Sequence, residues 1–490
     1  MRETVPEQLV VGLEIALPGR LALGRGNAMV IAGHCYHPSV RTRDLWLEVD
    51  GDRQPVDHHG LPRQDVFDRA GPKRGRAFKS GFVGIATVSP RARPGPVEVS
   101  VAVELEGGRR AGASLGSVTL EPALATPEGF TAPAFDPTAG PRVAICMATY
   151  NPPLDLLRRQ LDSIRAQTHQ NWICVISDDG SDPQAHAGLR KEIDGDGRFA
   201  LSPGPQRLGF YRNFERALSL APASAEFVTL CDQDDRWNPD KLERLLEQIG
   251  GAQLAYSDAR VVTPDGEVVQ PSYWTERRNN YTNFGSLLLA NSVTGAASLF
   301  RRELLDDALP FPPKLANPFH DHWLAVVALA RGEITYIGEP LYDYVQHPGA
   351  VIGHSQANRR PRPVRQHLME RLRSPGDGSR AVYYYDWYQQ LLFAEVLRQR
   401  CWERMTPSKR RTLRRLREAD RGLVGLTWLL GRRLRRLWGY NETLDRELFY
   451  AYALVRRRAV SLWTLARRRP SRRLPRDASV PPASGGRGRP

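Results

Sequence analysis

Residues 142–182 read RVAICMATYNPPLDLLRRQLDSIRAQTHQNWICVISDDGSD, and their hydrophobic pattern changes period twice. RVAICMA is an unbroken apolar run, suited to a strand covered on both faces. Beyond the turn residues of YNPP, Leu154, Leu157, Leu161 and Ile164 recur at helical spacing, and NWICVIS is a second apolar run. The same alternation continues downstream. The segment around Phe199 and EFVTLC at 226–231 supply strands, while RNFERALSL at 212–220 and NPDKLERLLEQI at 238–249 supply helices. Such a pattern predicts a parallel α/β sheet with right-handed crossovers, which binds its ligands beyond the carboxyl ends of the strands.

On either side of this unit the pattern differs. Residues 1–122 hold short alternating segments such as LVVGLEIAL, AMVIAG, GFVGIATV and VEVSVAVELEGG, separated by Gly, Pro, Asp and Arg, with no stretch of helical period. They predict a small β-sandwich. Residues 123–140, rich in Pro, Ala, Thr and Gly, read as a linker to a catalytic domain over 141–360. Residues 361–470 are helical in pattern, aromatic and basic, and the apolar-poor tail 471–490 is expected to be disordered.

The chain of 490 residues carries a net charge of +15, but the surplus is local. Residues 401–490 hold 24 Lys or Arg against 7 Asp or Glu, which leaves 45 against 47 for the rest. A nucleic-acid partner is therefore not expected, since the near-neutral body carries the polar motifs. GLVGLTWLLG at 422–431 is about half the ~20 residues needed to span a bilayer, and four arginines follow it. This pattern points to an anionic membrane surface as a partner of the C-terminal helices, with solvated basic packing helices as the alternative. Five scattered cysteines with no secretory signal read as a reducing compartment. The expected location is cytoplasmic and peripheral at the inner face of the cell membrane.

Three strand ends deliver polar residues to one edge: ATYNP, SDDGSD and CDQDDRW. Asp232, Asp234 and Asp235 crowd the last, and like charges at that spacing repel unless a cation or donors offset them. Hard carboxylate ligands with positions left for phosphate oxygens suit Mg²⁺ or Mn²⁺ and a nucleoside diphosphate. SDDGSD is equally readable as a plain turn. Asp321, in HDHW ahead of an apolar helix, is either a helix-dipole partner or a general base. There is no GxxxxGK[ST] loop, GxSxG elbow or strand-linked GxGxxG, so nucleoside-triphosphatase and α/β-hydrolase classes lack their parts.

With these residues in view, the segment from Pro141 to His354 resembles the family 2 inverting glycosyltransferases of the A-type (GT-A, Rossmann-like) fold, and most closely their rhamnosyltransferase-like branch. The ordered set ATYNP, AQTHQNWICVISDDGSD, RLGFYRNFERAL, CDQDDRWNPDKL, VTGAASLFRREL, HDHW and YVQH carries the resemblance. It implies a nucleoside-diphosphate sugar donor of dTDP or UDP type, a glycan or lipid-linked acceptor, and rhamnose as the sugar of that branch. It also implies roles for single residues. Thr149, Tyr150, Asp178, Asp179, Arg212 and Asp232 would bind the donor, Tyr150 and Asp179 at the base. Asp232 and Asp234, the DxD pair, would hold Mg²⁺ or Mn²⁺, with His347 near the diphosphate, although Val345 stands where an arginine often precedes that histidine. Asp321 would be the catalytic base, and His322 and Trp323 would line the acceptor side. A nucleotidyltransferase, or a non-catalytic glycan- or nucleic-acid-binding protein, remains as the alternative class.

Overall fold

The computed structural model describes residues 8–71, 75–123, 126–274, 279, 281–316, 318–347, 382–439, 443 and 445–466. The expected disordered tail at 471–490 and part of the C-terminal region, 361–381, lie outside the described residues.

The first nine strands are β1 (Val10–Leu13), β2 (Arg20–Ala22), β3 (Asn27–Tyr36), β4 (Thr42–Val49), β5 (Asp52–Pro55), β6 (His58–Leu61), β7 (Gly81–Val88), β8 (Gly95–Leu105) and β9 (Arg110–Glu121). They form two sheets, ordered β1-β3-β7-β6 and β2-β9-β8-β4-β5. Alternation along β4 and β8 turns Leu45, Leu47, Val49, Val99, Val101 and Val103 into a shared core, as a half-buried strand requires. One helix, α1 (Gln64–Ala70), interrupts the strands and corrects the all-strand reading of this region.

The second unit is a nine-stranded sheet. Its strands are β10 (Val143–Thr149), β11 (Trp172–Asp178), β12 (Phe199–Pro203), β13 (Phe227–Cys231), β14 (Arg236–Trp237), β15 (Leu254–Val262), β16 (Val268–Gln270), β17 (Ser298–Arg301) and β18 (Ile334–Val345). The order is β12-β11-β10-β13-β17-β15-β18-β14, with β16 paired to β15. The first four strands are parallel and are linked by α2 (Leu154–Arg165), α3 (Pro183–Ile193) and α4 (Phe210–Ser219). Beyond β13 the sheet is mixed, because β17 runs antiparallel to both β13 and β15. The wholly parallel expectation is corrected there. Nothing in a strand's own period records the direction of its neighbour.

Parallel pairing sets Thr149 opposite Asp178 and Met147 opposite Cys231, so three strand ends open on one edge. The remaining helices of this unit are α5 (Lys241–Ile249), α6 (Phe284–Leu289), α7 (Leu305–Ala308) and α8 (His320–Arg331). C-terminal helices α9 (Tyr388–Cys401), α10 (Pro407–Arg421), α11 (Leu423–Gly431) and α12 (Arg446–Ala466) pack beside them. A single apolar core runs from sandwich residues Val30 and Val83 through β10 and β11 to Trp387 and Leu416. Among the described residues, no helix is long and apolar enough to cross a membrane.

Candidate active site at the carboxyl edge of the sheet

The edge is built from its loops inward. After β10 the chain turns through Asn151, which adopts the left-handed backbone (φ 41°). The Asn151 amide donates to Ser181 Oγ (2.8 Å), and its side-chain oxygen accepts from the Asp182 amide (2.9 Å). Thr149 Oγ1 donates to Asp178 (3.1 Å), whose carboxylate also accepts from the Ser181 amide and hydroxyl. Thr149 and Asp178 are each 1% exposed. Their side chains therefore tie the first two loops together beneath the edge where a donor was expected.

Asp179 is also engaged. Its two oxygens accept from the amides of Leu208 (2.6 Å) and Gly209 (2.8 Å), holding the loop that enters α4. Gly209 has φ +80°, a conformation that glycine adopts without the Cβ clash. In the same loop, the Arg207 guanidinium lies 3.9 Å from the Tyr150 ring centroid, a cation–π contact. Arg212 bonds Glu215 and the carbonyls of Phe311 and Pro312, and so braces α4 against the 311–312 segment.

At the end of β13, carboxylates gather. Burial and repulsion from Asp234 and Asp321 push the Asp232 carboxyl up to about 7. Asp235 is buried at 1%, accepts from the Val345 amide (3.2 Å), and is raised well above the carboxylate range by burial and by Asp232 and Asp234. Asp234 pairs with His347 Nε2 at 2.8 Å, which closes the end of β18 over the motif. Beneath them Lys241 is fully buried, donates to the Ala296 carbonyl (2.6 Å), and lies 3.4 Å from the Trp237 ring centroid. Burial lowers its amine to about 7.

Asp321 comes from the opposite direction, on the first turn of α8. It accepts from the amides of Gly295 (3.3 Å) and His322 (2.6 Å) and from the Asn291 side chain. Burial outweighs these donors and raises its carboxyl to about 6. Proximity to Asp232 is felt as mutual repulsion, so residues 89 apart in the chain share one field.

The neighbours of Asp321 do not share its direction. Trp323 is 0% exposed, donates from Nε1 to the Ala308 carbonyl (2.8 Å), and packs on Phe393. His322 is buried and its Nε2 bonds the Leu287 carbonyl (2.6 Å). Both were expected on the acceptor side, and both belong to the interior. Successive helical residues diverge by about 100°, so only Asp321 of the three faces the sheet edge.

Besides Arg207 and Lys241, two more site residues escaped the sequence reading. Gln233 accepts from the Tyr150 amide (2.8 Å) and donates to its carbonyl (3.3 Å), coupling the first loop to the acidic one. Its place between Asp232 and Asp234 was the available signal. Asn291, which donates to Asp321, had none.

A divalent cation would be attracted to this edge by its charge. Crowded, desolvated carboxylates are what such an ion would relieve, and Asp232, Asp234 and His347 are the residues that would hold it. Among the described residues no three His, Cys, Asp or Glu form a ready-made cage, so substrate oxygens would complete the shell.

Residues 144–309, a third of the chain, match the sequence profile of Glycosyl transferase family 2. Among curated relatives, an uncharacterized glycosyltransferase of Nostoc sp. is 26% identical over 216 residues, covering 42% of this chain and 65% of that one. An uncharacterized glycosyltransferase of Methanocaldococcus jannaschii is 20% identical over 193 residues, covering 38% and 65%. Protein CgeD of Bacillus subtilis is 27% identical, covering 34% and 40%. The chain thus spans less than two thirds of the length of these relatives. Among solved structures, S. aureus TarS 1–349 in complex with UDP-GlcNAc aligns at TM-score 0.40 and 16% identity, covering 65% of this chain and 92% of that one.

Proposed function

We propose that the family 2 glycosyl transferase domain of this chain, a GT-A-type sheet preceded by a β-sandwich and followed by basic helices, is a metal-dependent inverting glycosyltransferase. The observation that carries this reading is the meeting of Asp232, the Asp234–His347 pair and Asp321 at the edge where β10, β11 and β13 end.

In this reading Asp321 takes the proton of an acceptor hydroxyl. The hydroxyl oxygen forms a bond to the anomeric carbon from the face opposite the nucleotide. The bond from that carbon to the diphosphate oxygen breaks with its electron pair, and the configuration inverts. A carboxyl near 6 is ionised at neutral pH yet basic enough to accept a proton, which general-base catalysis requires. Bound Mg²⁺ or Mn²⁺ would supply Lewis-acid neutralisation of the leaving nucleoside diphosphate. Asp232, Asp234 and His347 are the residues that would hold the ion. Tyr150, stacked under Arg207, provides the face against which a nucleobase packs, and Asp179 holds the loop that carries Arg207. Tyr344, which feels the charges of Asp235, Asp232 and Asp234, packs edge-on against Tyr273, and Tyr273 against Trp274; this reading assigns that half-buried group of rings to the acceptor side. A dTDP- or UDP-linked sugar such as rhamnose is the donor of this reading, and a glycan or lipid-linked hydroxyl the acceptor. All five cysteines are unpaired and buried, in keeping with a reducing, cytoplasmic setting.

The test is nucleotide release from a panel of UDP-, dTDP- and GDP-sugars, with Mn²⁺ or with a chelator. Release that depends on the metal and on one donor class is expected. If no donor is turned over or hydrolysed in Mn²⁺, the proposal fails.

A further inference from the structure

Large apolar side chains are unevenly exposed on this protein. Of the thirteen that stand open among the described residues, six fall within 423–438: Leu423 (73%), Val424 (74%), Leu430 (41%), Leu434 (57%), Leu437 (77%) and Trp438 (66%). Scattered exposed leucines need no explanation, but a cluster of this density does. The other side of α11 is sealed. Leu426 and Leu429 are buried, and at Gly425 a Cβ would lie 2.3 Å from the Ala419 nitrogen, so α11 is pressed against α10 and cannot turn its apolar face inward.

Charge identifies what covers this face. Residues 421–438 contain five arginines and no Asp or Glu. Arg432 turns inward, donating to Ser286 Oγ (2.5 Å) and Asn283 Oδ1 (3.3 Å), and Arg436 pairs with Asp445 (3.0 Å). Asp57 pairs with Arg421, and Asp445 with Arg433 and Arg436, while the segment itself holds no acid to balance its five arginines and its apolar patch ends in a tryptophan. An apolar face bordered by arginine and tryptophan matches the boundary between acyl chains and anionic headgroups. With nine residues, α11 is far below the ~20 that span a bilayer, so it lies in the plane.

The patch is also joined to the site. Arg432 holds Asn283 and Ser286 at the start of α6, α6 runs to Leu289, and two residues later Asn291 donates to Asp321. We infer that 423–438 seats this protein on an anionic membrane surface, and that the acceptor reaching Asp321 is lipid-anchored. The second half rests on the glycosyltransferase reading, and the first half does not.

The experiment is sedimentation of the full chain with phosphatidylcholine vesicles, alone or with phosphatidylglycerol added, at low salt. Wild type is expected to bind the anionic vesicles at least about tenfold more tightly. L437S/W438S, at two exposed positions, is expected to lose about tenfold in binding while its melting temperature and its turnover of a water-soluble acceptor hold. No preference for anionic vesicles, undiminished binding by the variant, or a wild-type dimer that the variant dissociates overturns the membrane assignment, the last by making a second copy the occupant. Vesicle binding with no nucleotide release from any donor leaves the membrane assignment standing and overturns the enzymatic reading. Transfer to soluble acceptors with no gain from a lipid-anchored one overturns only the acceptor assignment.

Discussion

Asp321 shows how much one environment changes a carboxyl group. Burial lifts it to about 6 although two backbone amides and Asn291 donate to it. As a general base it must be ionised, so turnover is expected to rise about tenfold per pH unit below 6 and to level off above, in a profile measured at saturating donor. Asp321→Asn is expected to lower turnover by about 10²–10⁴-fold while donor affinity, read by thermal stabilisation, is kept. The same substitution has a stability signature. A carboxyl whose folded pKa is raised favours the folded state below its unfolded value near 3.8, and that benefit is lost as pH rises through 6. Asparagine avoids the loss, so the variant should melt higher than wild type at pH 8 and equally at pH 4. The gain is bounded at about 3 kcal/mol, since one unit is about 1.4 kcal/mol. A melting difference that does not change with pH would argue against a desolvated carboxylate. The sequence contained Asp321 as a candidate but could not give its direction. HDHW offered three candidates in a row, and only the packing of α8 shows that His322 and Trp323 face Leu287 and Ala308.

At the scale of elements, the turn 295–297 between α6 and β17 does the positioning. A Cβ at Gly295 would lie 3.0 Å from His320 Nε2, 3.2 Å from Leu230 and 3.3 Å from the Asp321 Cβ. Gly295→Ala is therefore expected to displace the first turn of α8, cutting turnover tenfold or more at a stability cost of about 1–3 kcal/mol by denaturant titration. Helices α2, α4 and α5 were legible beforehand because one face of each buries its apolar residues and the period records it. The second half of the sheet was not. Strands β15, β17 and β18 mix apolar and polar residues with no clean period, and their pairing directions follow from where the intervening helices can pack. Loop contents behave like the helices, since ATYNP, SDDGSD and CDQDDRW follow their strands in the chain. Which oxygens in those loops remain open does not follow from order, as Thr149, Asp178 and Asp179 show by bonding one another or the backbone.

Across the whole molecule, one buried carboxylate joins three regions. Asp307 is 0% exposed and receives Arg25 (2.7 Å) from the sandwich, Arg331 (2.6 Å) from α8, and Arg404 (2.9 Å) from the C-terminal helices. Arg25 and Arg404 are about half exposed and Arg331 keeps Glu303 at 3.1 Å, so Asp307→Ala should cost about 1–3 kcal/mol in chemical denaturation. His58 and Asp420 (2.8 Å) make a second link between sandwich and helices. Because Ile15, Ala28, Val30, Ala32 and Val83 belong to the same core as β10 and β11, a chain lacking residues 1–122 is expected to expose that surface and aggregate, as light scattering would show. A monodisperse, active truncation would refute this continuity. Covalent order was enough to specify strand ends, helical faces and the polar loops, because each depends on residues a few positions apart. Pairing directions, the three-way clasp at Asp307 and the meeting of Asp232 with Asp321 came only from folding. They join residues tens to hundreds of positions apart, whose approach is set by the packing of the whole chain and leaves no local period to read.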